Sequence, residues 1–168
     1  LIEQGTLEIS GAIECAGASF VSDGAVLKFS NGSFATDSVV VESGGSLDGY
    51  GTLAADLNAG GGLETRGFSS GTPGTLAVDG SVFFGEASLT RMRGGVSSDL
   101  LAVTGDMALG GTIQISLAPG TTFGRYPLMT CQGEISGLAA LTGIPGGTSA
   151  HLSMTVPGRV DLVIDDSD

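Results

Sequence analysis

The sequence predicts an all-β protein that folds as a β-solenoid with coils of about twenty residues. Three observations support this fold class. The 168 residues include 30 glycines, which divide the chain into short segments. Apolar and polar residues alternate within those segments, and a Gly-Thr-Leu tripeptide recurs along the chain. We expect almost no helix, because the longest glycine-free run, Ser33 to Ser43, is shorter than the about 12 residues that a helix needs without packing.

The short segments are predicted to be strands, since every second residue is apolar and turn dipeptides separate them. The expected inward residues are Leu7 and Ile9, Leu27 and Phe29, Leu76 and Val78, Leu101 and Val103, and Ile113, Ile115 and Leu117. The turn dipeptides are Asp23-Gly24, Asn31-Gly32, Gly44-Gly45, Asp48-Gly49, Asp79-Gly80 and Pro119-Gly120.

The tripeptide gives the period of the fold. It occurs at Thr6, Thr52 and Thr75, and as Gly-Thr-Ile at Thr112, with intervals of 46, 23 and 37 residues. The first interval is twice the second, and a weaker copy, Gly24 to Leu27, falls inside it. A β-sandwich would alternate in the same way, but it gives no reason for one tripeptide to return at this spacing, so the solenoid is favoured.

Composition excludes several classes of protein. Hydrophobic residues make up 41% of the chain, which is too many for a disordered protein, and 5 prolines without a three-residue glycine period exclude collagen. The net charge of −12 argues against nucleic acid and anionic membranes as partners. No apolar run approaches the roughly 20 residues of a membrane-spanning helix. The chain begins at Leu1 without an initiator methionine or a basic leader, so we expect a processed product or a fragment.

A set of related motifs covers most of residues 49–137. It begins at Gly49-Tyr50-Gly51-Thr52-Leu53 and continues through the segments 60–63 and 74–80. Its most specific part is Asp99-x-Leu101-x-Val103-x-Gly105 followed by the segment 109–117, and the segments 126–129 and 135–137 come after it. Together these motifs resemble the passenger region of bacterial autotransporters and the autotransporter-associated β-strand repeats, in which the last two segments resemble closing coils.

This resemblance implies a right-handed parallel β-helix, exported by a Gram-negative-type bacterium to the outer cell surface or the extracellular space. It also implies C-terminal coils that help to fold and cap the solenoid. We therefore expect one continuous solenoid domain, with β-helix coils in residues 1–98 and C-terminal coils and a cap in residues 99–168. One segment, Leu89 to Arg93, departs from the pattern: either a bulge turns Arg91 outward or the strand ends early.

The separation of the two cysteines along the chain predicts that they do not form a disulfide. Cys15 and Cys131 are 116 residues apart, which is about five coils or ~25 Å along the axis, whereas a disulfide needs Cα atoms within about 7 Å. We expect two buried thiols that pack as small hydrophobic groups.

Motifs that carry known chemistries are better explained as solenoid features. Residues 49–54 match the dinucleotide fingerprint, but that motif must open a helix, and here another glycine turn follows. The segment 44–48 resembles a calcium-binding β-roll repeat, but Leu47 stands where that repeat needs glycine.

A catalytic triad and a zinc site are also disfavoured. His151 has Ser149, Ser153 and Asp161 nearby in sequence, but no nucleophile elbow is present, so we interpret His151 as a solvent-facing strand residue. One histidine and two distant cysteines are too few ligands for a structural zinc site.

Carboxylates on neighbouring coils are the strongest argument for an enzyme, since an acid and a base are what polysaccharide cleavage requires. The candidates are Asp37, Asp48, Asp56 and Asp79, with Arg66 nearest in sequence. Aromatic residues make up only 5% of the chain and tryptophan is absent, so stacking on sugar rings is poorly supplied. A carboxylate pair in a groove, one with a raised pKa, would favour this alternative.

The sequence therefore predicts a non-enzymatic extracellular segment, structural or adhesive, acting as a rigid stalk, with no catalytic residues, metal ligands or cofactor. A self-assembling fibre that stacks through uncapped solenoid ends is the main alternative, and a polysaccharide-degrading β-helix enzyme is the second. The expected partners are neighbouring coils, other copies of the chain, and ligands on host or environmental surfaces, with no nucleic acid.

Overall fold

Alternating strands and glycine turns stack into a parallel β-solenoid in the computed structural model, which describes residues 1–165. The solenoid has about five turns with coils of about 23 residues, and the chain is 59% strand and 3% helix. The predicted all-β solenoid is confirmed, with coils slightly longer than the predicted twenty residues.

All the strands belong to one sheet that winds around the core. They are β1 Gly5–Ile9, β2 Ala12–Glu14, β3 Ala18–Val21, β4 Ala25–Val41, β5 Ser46–Ala59, β6 Gly62–Thr65, β7 Thr75–Val78, β8 Val82–Phe84, β9 Leu89–Gly94, β10 Leu100–Val103, β11 Met107–Leu109, β12 Thr112–Leu117, β13 Gly124–Cys131, β14 Ile135–Gly137, β15 Ala140–Thr142, β16 Ala150–Ser153 and β17 Arg159–Ile164. A short helix, α1 Arg66–Ser70, lies between β6 and β7.

Three parallel ladders form the sides of the solenoid. The first joins β1, β4, β5, β6, β9, β12 and β15. The second joins β2, β4, β5, β7, β10 and β13. The third joins β3, β4, β5, β8, β11 and β14. The long strands β4 and β5 bend at two corners and contribute to all three ladders.

Inward residues stack in rows along each ladder and form one continuous core. On the first ladder, Leu7, Leu27, Leu47 and Leu63 occupy one row. On the second, Leu76, Leu101 and Met129 occupy another, and all three are fully buried. The predicted inward residues from Leu27 to Ile115 are buried, whereas Leu117 is only partly buried.

The first coil is less covered than the coils that follow it. Leu7 and Ile13 lie on the core side of β1 and β2, but they are 39% and 38% exposed. Within the described residues, no coil packs on the outer side of this first coil. Ile9, the last residue of β1, is already buried.

The C-terminal end of the core is closed by an antiparallel hairpin, which confirms the predicted capping region. Strand β17 runs antiparallel to β13 and to β16, in contrast to the parallel pairing elsewhere in the sheet. Val160, Leu162 and Ile164 point from β17 into the core and are buried. Asp166 to Asp168 lie outside the described residues.

The Gly-Thr-Leu copies do not occupy equivalent positions, although they led to the correct fold. Thr6 and Thr112 lie on the first ladder, whereas Thr52 and Thr75 lie on the second. Even on the second ladder, Leu53 pairs with Val78 and not with Leu76. The reason is that each corner of a three-sided coil makes the same local demand, a glycine turn followed by an inward aliphatic residue.

Strand β9 needs neither the bulge nor the early end considered for the segment Leu89 to Arg93. Thr90 and Met92 point inward and are buried, while Arg91 and Arg93 alternate with them on the outer side. Thr90 takes the position that Leu63 and Ile113 fill on the neighbouring coils. Regular alternation is therefore kept, with a threonine in an aliphatic row.

The cysteines are both free, as predicted, but only one of them is buried. Cys131 packs on β13 in the core, and burial raises the pKa of its thiol. Cys15 is exposed, so the prediction of two buried thiols is wrong for this residue. It follows β2 in the sparsely covered first coil, where few neighbouring side chains can enclose it.

Candidate functional site

A row of charged and polar side chains runs along the outer surface of the first ladder. Neighbouring coils place Glu8, Lys28, Asp48, Glu64, Arg91 and Gln114 opposite one another. Lys28 Nζ lies 3.4 Å from Glu8 Oε1, and Arg91 Nη1 lies 3.6 Å from Glu64 Oε2. Asp48 and Glu64 are the adjacent like charges in this row, on strands that neighbour each other at about 4.8 Å.

A groove of about 410 Å³ lies over the middle of this row. Its lining includes Lys28, Asp48, Tyr50, Glu64, Arg66 and Ser70. Two of these side chains are cationic and two are anionic, so the groove combines hydrogen-bond donors and acceptors with one aromatic ring.

Helix α1 forms one wall of the groove. The chain leaves the ladder after Thr65, makes the single turn of α1 and returns at β7. The helix ends at Gly71, which has a left-handed φ of 70° and whose N–H donates to the carbonyl of Gly67. The Arg66 guanidinium lies 4.3 Å from the centre of the Tyr50 ring, a cation–π contact that joins the wall to β5.

A buried carboxylate, Asp99, fixes this wall to the body of the solenoid. Its Oδ1 accepts hydrogen bonds from the backbone N–H groups of Gly67 and Gly74, both at 2.9 Å. Its Oδ2 accepts from the Thr65 hydroxyl at 2.6 Å and from the Arg93 N–H at 2.7 Å. Asp99 is completely buried, so these four donors replace the water that a carboxylate would otherwise require.

Two glycines make this arrangement sterically possible. A Cβ at Gly67 would lie 2.3 Å from Asp99 Oδ1, and a Cβ at Gly74 would lie 2.9 Å from Arg66 Cβ and 3.0 Å from Tyr50 Cβ. Gly67 and Gly74 therefore allow the backbone to approach Asp99 and the groove wall to pack on β5.

Asp48 has an unusual electrostatic environment. Burial raises its pKa above the ordinary value for aspartate, the neighbouring Glu64 carboxylate raises it further, and a hydrogen bond from Ser46 acts in the opposite direction. The protonated form of Asp48 is thus favoured in the folded state, so the stability of the protein should fall as pH rises through the titration range of Asp48.

We expect Asp48→Asn to raise the free energy of unfolding by about 0.5 kcal/mol at pH 7, because it removes a carboxylate whose charged form is disfavoured by burial and by the neighbouring Glu64. The gain should disappear near pH 3, where the wild-type carboxyl is protonated as well. Urea unfolding at both pH values measures this difference. Asp79→Asn, at an exposed corner away from the groove, serves as the control and should show no gain. A gain that is equally large at pH 3 would contradict this electrostatic explanation.

The structure separates the four candidate aspartates. Asp48 alone lines the groove with Arg66. Asp37 and Asp56 occupy a corner, where their carboxylates accept hydrogen bonds from the N–H groups of Gly17 at 3.2 Å and Ser81 at 2.8 Å on neighbouring coils. Asp79 accepts from the Thr104 hydroxyl at 2.9 Å.

Glu64, the second carboxylate of the groove, was not among the sequence candidates. A signal was present, because Leu63-Glu64-Thr65 repeats the inward-outward order of Leu47-Asp48-Gly49. The pair was obscured because the two carboxylates are only 16 residues apart, less than one predicted coil.

The residues near the single histidine do not converge on one site. His151 is exposed, as expected, and its Nδ1 lies 3.3 Å from Asp165, which also accepts from the Ser149 hydroxyl. Asp161 is completely buried and binds Arg125 at 3.1 Å and Arg159 at 2.7 Å. These residues form two separate contacts of the cap.

A second groove, of about 500 Å³, runs over the third ladder. Phe83 is 54% exposed there, beside Val40 and a row of acidic corner residues. Asp106, for example, accepts a hydrogen bond from the Glu134 N–H at 2.9 Å, so this carboxylate helps to hold neighbouring coils together.

The dinucleotide-like segment 49–54 lies within β5, and no helix follows it before β6. Among residues 1–165, no helix has the length and apolar character needed to cross a membrane.

Comparison with known proteins gave one curated relative, the Adhesin BmaC autotransporter of Brucella suis biovar 1 (strain 1330). The two sequences are 30% identical over an alignment of 172 positions, which covers 95% of this chain and 5% of that protein. The chain thus spans about one twentieth of the length of this relative. No family model and no solved structure match the chain. The similarity confirms the predicted resemblance and the predicted location, at the bacterial outer cell surface or outside the cell.

Proposed function

Because the chain resembles autotransporter passenger regions in both sequence and fold, we propose that it is a rigid, non-enzymatic stalk segment that contributes to adhesion. The observation that carries this proposal is the continuity of the core. Inward rows extend along the ladders from the first coil to the cap, so neighbouring coils share one hydrophobic interior. A body with a shared interior resists bending between coils and holds its outer surface in a fixed arrangement.

The adhesive part of the proposal is supported by the relative, which is named an adhesin. We extend that property to this chain as binding to ligands on host or environmental surfaces. The outer row of the first ladder, with its groove, is the surface that we assign to this role. Within this continuous solenoid, residues 1–98 would supply the coils that carry the groove, and residues 99–168 the coils and cap that stabilise them.

Bead adhesion tests this proposal. Beads that carry the folded chain should adhere to cultured epithelial cells or to mucin-coated glass at least tenfold more than beads that carry the urea-unfolded chain. The comparison isolates the folded surface, because the composition and charge of the two preparations are identical. Equal adhesion by both preparations would contradict an adhesive role for the fold.

Fibre formation is the first alternative. Among the described residues, Leu7 and Ile13 favour it, since these apolar side chains are partly exposed and an exposed apolar strand can pair with another chain. The antiparallel cap at the other end argues against a head-to-tail filament, which needs two open ends. With a net charge of −12, end-to-end stacking should strengthen with salt. Light scattering that shows a salt-independent monomer would exclude the fibre.

Polysaccharide cleavage is the second alternative, and the pair Asp48 and Glu64 favours it. These carboxylates lie in a groove on neighbouring coils, and burial raises the pKa of Asp48. Against it, Glu64 pairs with Arg91 at 3.6 Å, which restrains the second carboxylate. Release of reducing ends from a polysaccharide by the wild-type chain, lost in Asp48→Asn, would support this alternative over the scaffold.

A further inference from the structure

We propose that the groove over the first ladder is a binding site for a neutral oligosaccharide, which Asp48, Glu64 and Arg66 hold beside Tyr50. This inference rests on the proposed adhesive function and gives it a ligand class. The groove of about 410 Å³ is large enough for one or two sugar rings and is open along the ladder.

The charges of the groove favour a neutral ligand. Lys28 and Arg66 balance Asp48 and Glu64, so the lining carries no excess of either sign. The whole chain carries a net charge of −12, which repels polymers rich in uronate or sulfate at long range. A ligand with many hydroxyl groups and no charge suits both conditions.

The polar groups of the groove match the hydroxyls of a sugar. Asp48 and Glu64 are on neighbouring strands at about 4.8 Å, so their carboxylates can accept hydrogen bonds from two hydroxyls of the same ring or of adjacent rings. Arg66 lies on the α1 wall of the groove and can donate to ring and hydroxyl oxygens, whereas the Ser70 hydroxyl already donates to the Arg66 carbonyl at 2.6 Å and can only accept. Donors and acceptors thus both line the groove.

Tyr50 supplies the aromatic contact that composition alone made improbable. It lines the groove, and the Arg66 guanidinium at 4.3 Å fixes the orientation of its ring. A ring that is already ordered loses little conformational freedom when an apolar sugar face packs on the part of the ring that Arg66 leaves uncovered.

The wall of the groove is also ordered before any ligand binds. Asp99 holds the backbone of α1 and its return segment through Gly67 and Gly74. The hydroxyl of Thr65, at the start of the wall, is held by the same carboxylate. Binding therefore requires no folding of the wall, which lowers its entropic cost.

Amide chemical-shift mapping of the full chain tests the site. The probes are the neutral hexasaccharides cellohexaose, mannohexaose and chitohexaose, with hexagalacturonate and a heparin hexasaccharide as anionic comparisons. We expect at least one neutral probe to shift amides in residues 48–50 and 64–70, with little dependence on salt, and we expect no shifts from the anionic probes. Absence of shifts with all three neutral probes, or shifts confined to another surface, would overturn the proposal.

Variants then identify the groups that bind. Asp48→Asn and Tyr50→Ala should each weaken binding of the neutral probe at least tenfold, whereas Asp79→Asn should bind like the wild type. Unchanged far-ultraviolet circular dichroism shows that each variant is folded, and Tyr50→Phe, which keeps the ring, should retain most of the binding. Equal binding by wild type, Asp48→Asn and Tyr50→Ala would overturn the assignment.

The bead assay separates this inference from the proposed function. If Asp48→Asn beads adhere like wild-type beads, the groove is not the adhesive site, although the adhesive role stands. If neither wild-type nor unfolded beads adhere while the neutral probe still binds, the proposed function fails and the groove remains a sugar site. Cleavage of the probe during mapping would show that the groove is a catalytic site, and it would overturn the assignment of the groove as a binding site.

Discussion

Replacing Asp99 by alanine is expected to lower the free energy of unfolding by about 3–5 kcal/mol, one of the two largest losses that we predict for a single residue. The substitution leaves the N–H groups of Gly67, Gly74 and Arg93 without an acceptor. The Thr65 hydroxyl keeps only its longer bond to the Arg91 carbonyl, at 3.2 Å. Asp99→Asn should lower the free energy of unfolding by about half as much, because its carbonyl oxygen can still accept hydrogen bonds from two donors. Urea unfolding followed by circular dichroism measures both values.

Asp106→Ala is the matched control for Asp99→Ala. Asp106 also accepts a backbone hydrogen bond across coils, from Glu134 at 2.9 Å, but it is exposed and water can replace it. Asp106→Ala should lower the free energy of unfolding by about 1 kcal/mol. In Asp99→Ala, the amides of Gly67 and Gly74 should also exchange with solvent much faster than in the wild type. If Asp99→Ala lowers the free energy of unfolding no more than Asp106→Ala does, Asp99 does not hold the groove wall in the way we describe.

Replacing Asp161 by alanine is expected to destabilise the cap by a similar amount, about 3–5 kcal/mol. Asp161 is completely buried on β17, and its carboxylate neutralises Arg125 and Arg159 at 3.1 and 2.7 Å. Without it, the partly exposed guanidinium groups of Arg125 and Arg159 lie close together with no anion between them, and the buried space of the carboxylate is left empty. Hydrogen exchange of β16 and β17 should accelerate more than that of β4 and β5, since the damage begins at the cap.

Asp165→Asn is the control for the cap, because Asp165 pairs with His151 in the same region. Both side chains of that pair are largely exposed, so its loss should cost less than about 1 kcal/mol. Comparable losses for Asp161→Ala and Asp165→Asn would show that burial of the Asp161 carboxylate does not contribute to the stability of the cap.

Strand positions could be predicted from the sequence because alternation and glycine turns act locally. Leu27 and Phe29, or Leu101 and Val103, point inward as their spacing indicates, whatever the coil above them contains. Thr90 shows the limit of this reasoning, since its inward position follows from its neighbours Leu63 and Ile113 and not from its own polarity.

Register between coils could not be predicted, because it depends on coil length. The inward row from Leu7 to Leu27 and Leu47 advances by 20 residues each time, but the next step, to Leu63, is 16 residues and the following one, to Thr90, is 27. An average coil therefore fits the fold, yet it misplaces individual partners. This is why Asp48 was identified as a candidate and its neighbour Glu64 was not.

The role of Asp99 could not be predicted from the sequence either. Asp99 belongs to the motif that resembles the autotransporter family, but three of its four hydrogen-bond partners are backbone N–H groups, which almost any residue would offer. A carboxylate that binds backbone groups leaves no pattern of side chains in the sequence, and only the folded chain shows the contact.

The hydrogen bonds of Asp99 also determine the order in which the parts of the groove form during folding. Three of them join Asp99 to residues 25 to 34 positions earlier in the chain, from Gly74 to Thr65, so the wall on one coil is completed by a carboxylate on the next. In a solenoid that assembles coil by coil, the strands beneath the groove can form while its wall is still unfixed, whichever end leads. The wall of the groove is therefore a product of two successive coils, and it is complete only after both are in place.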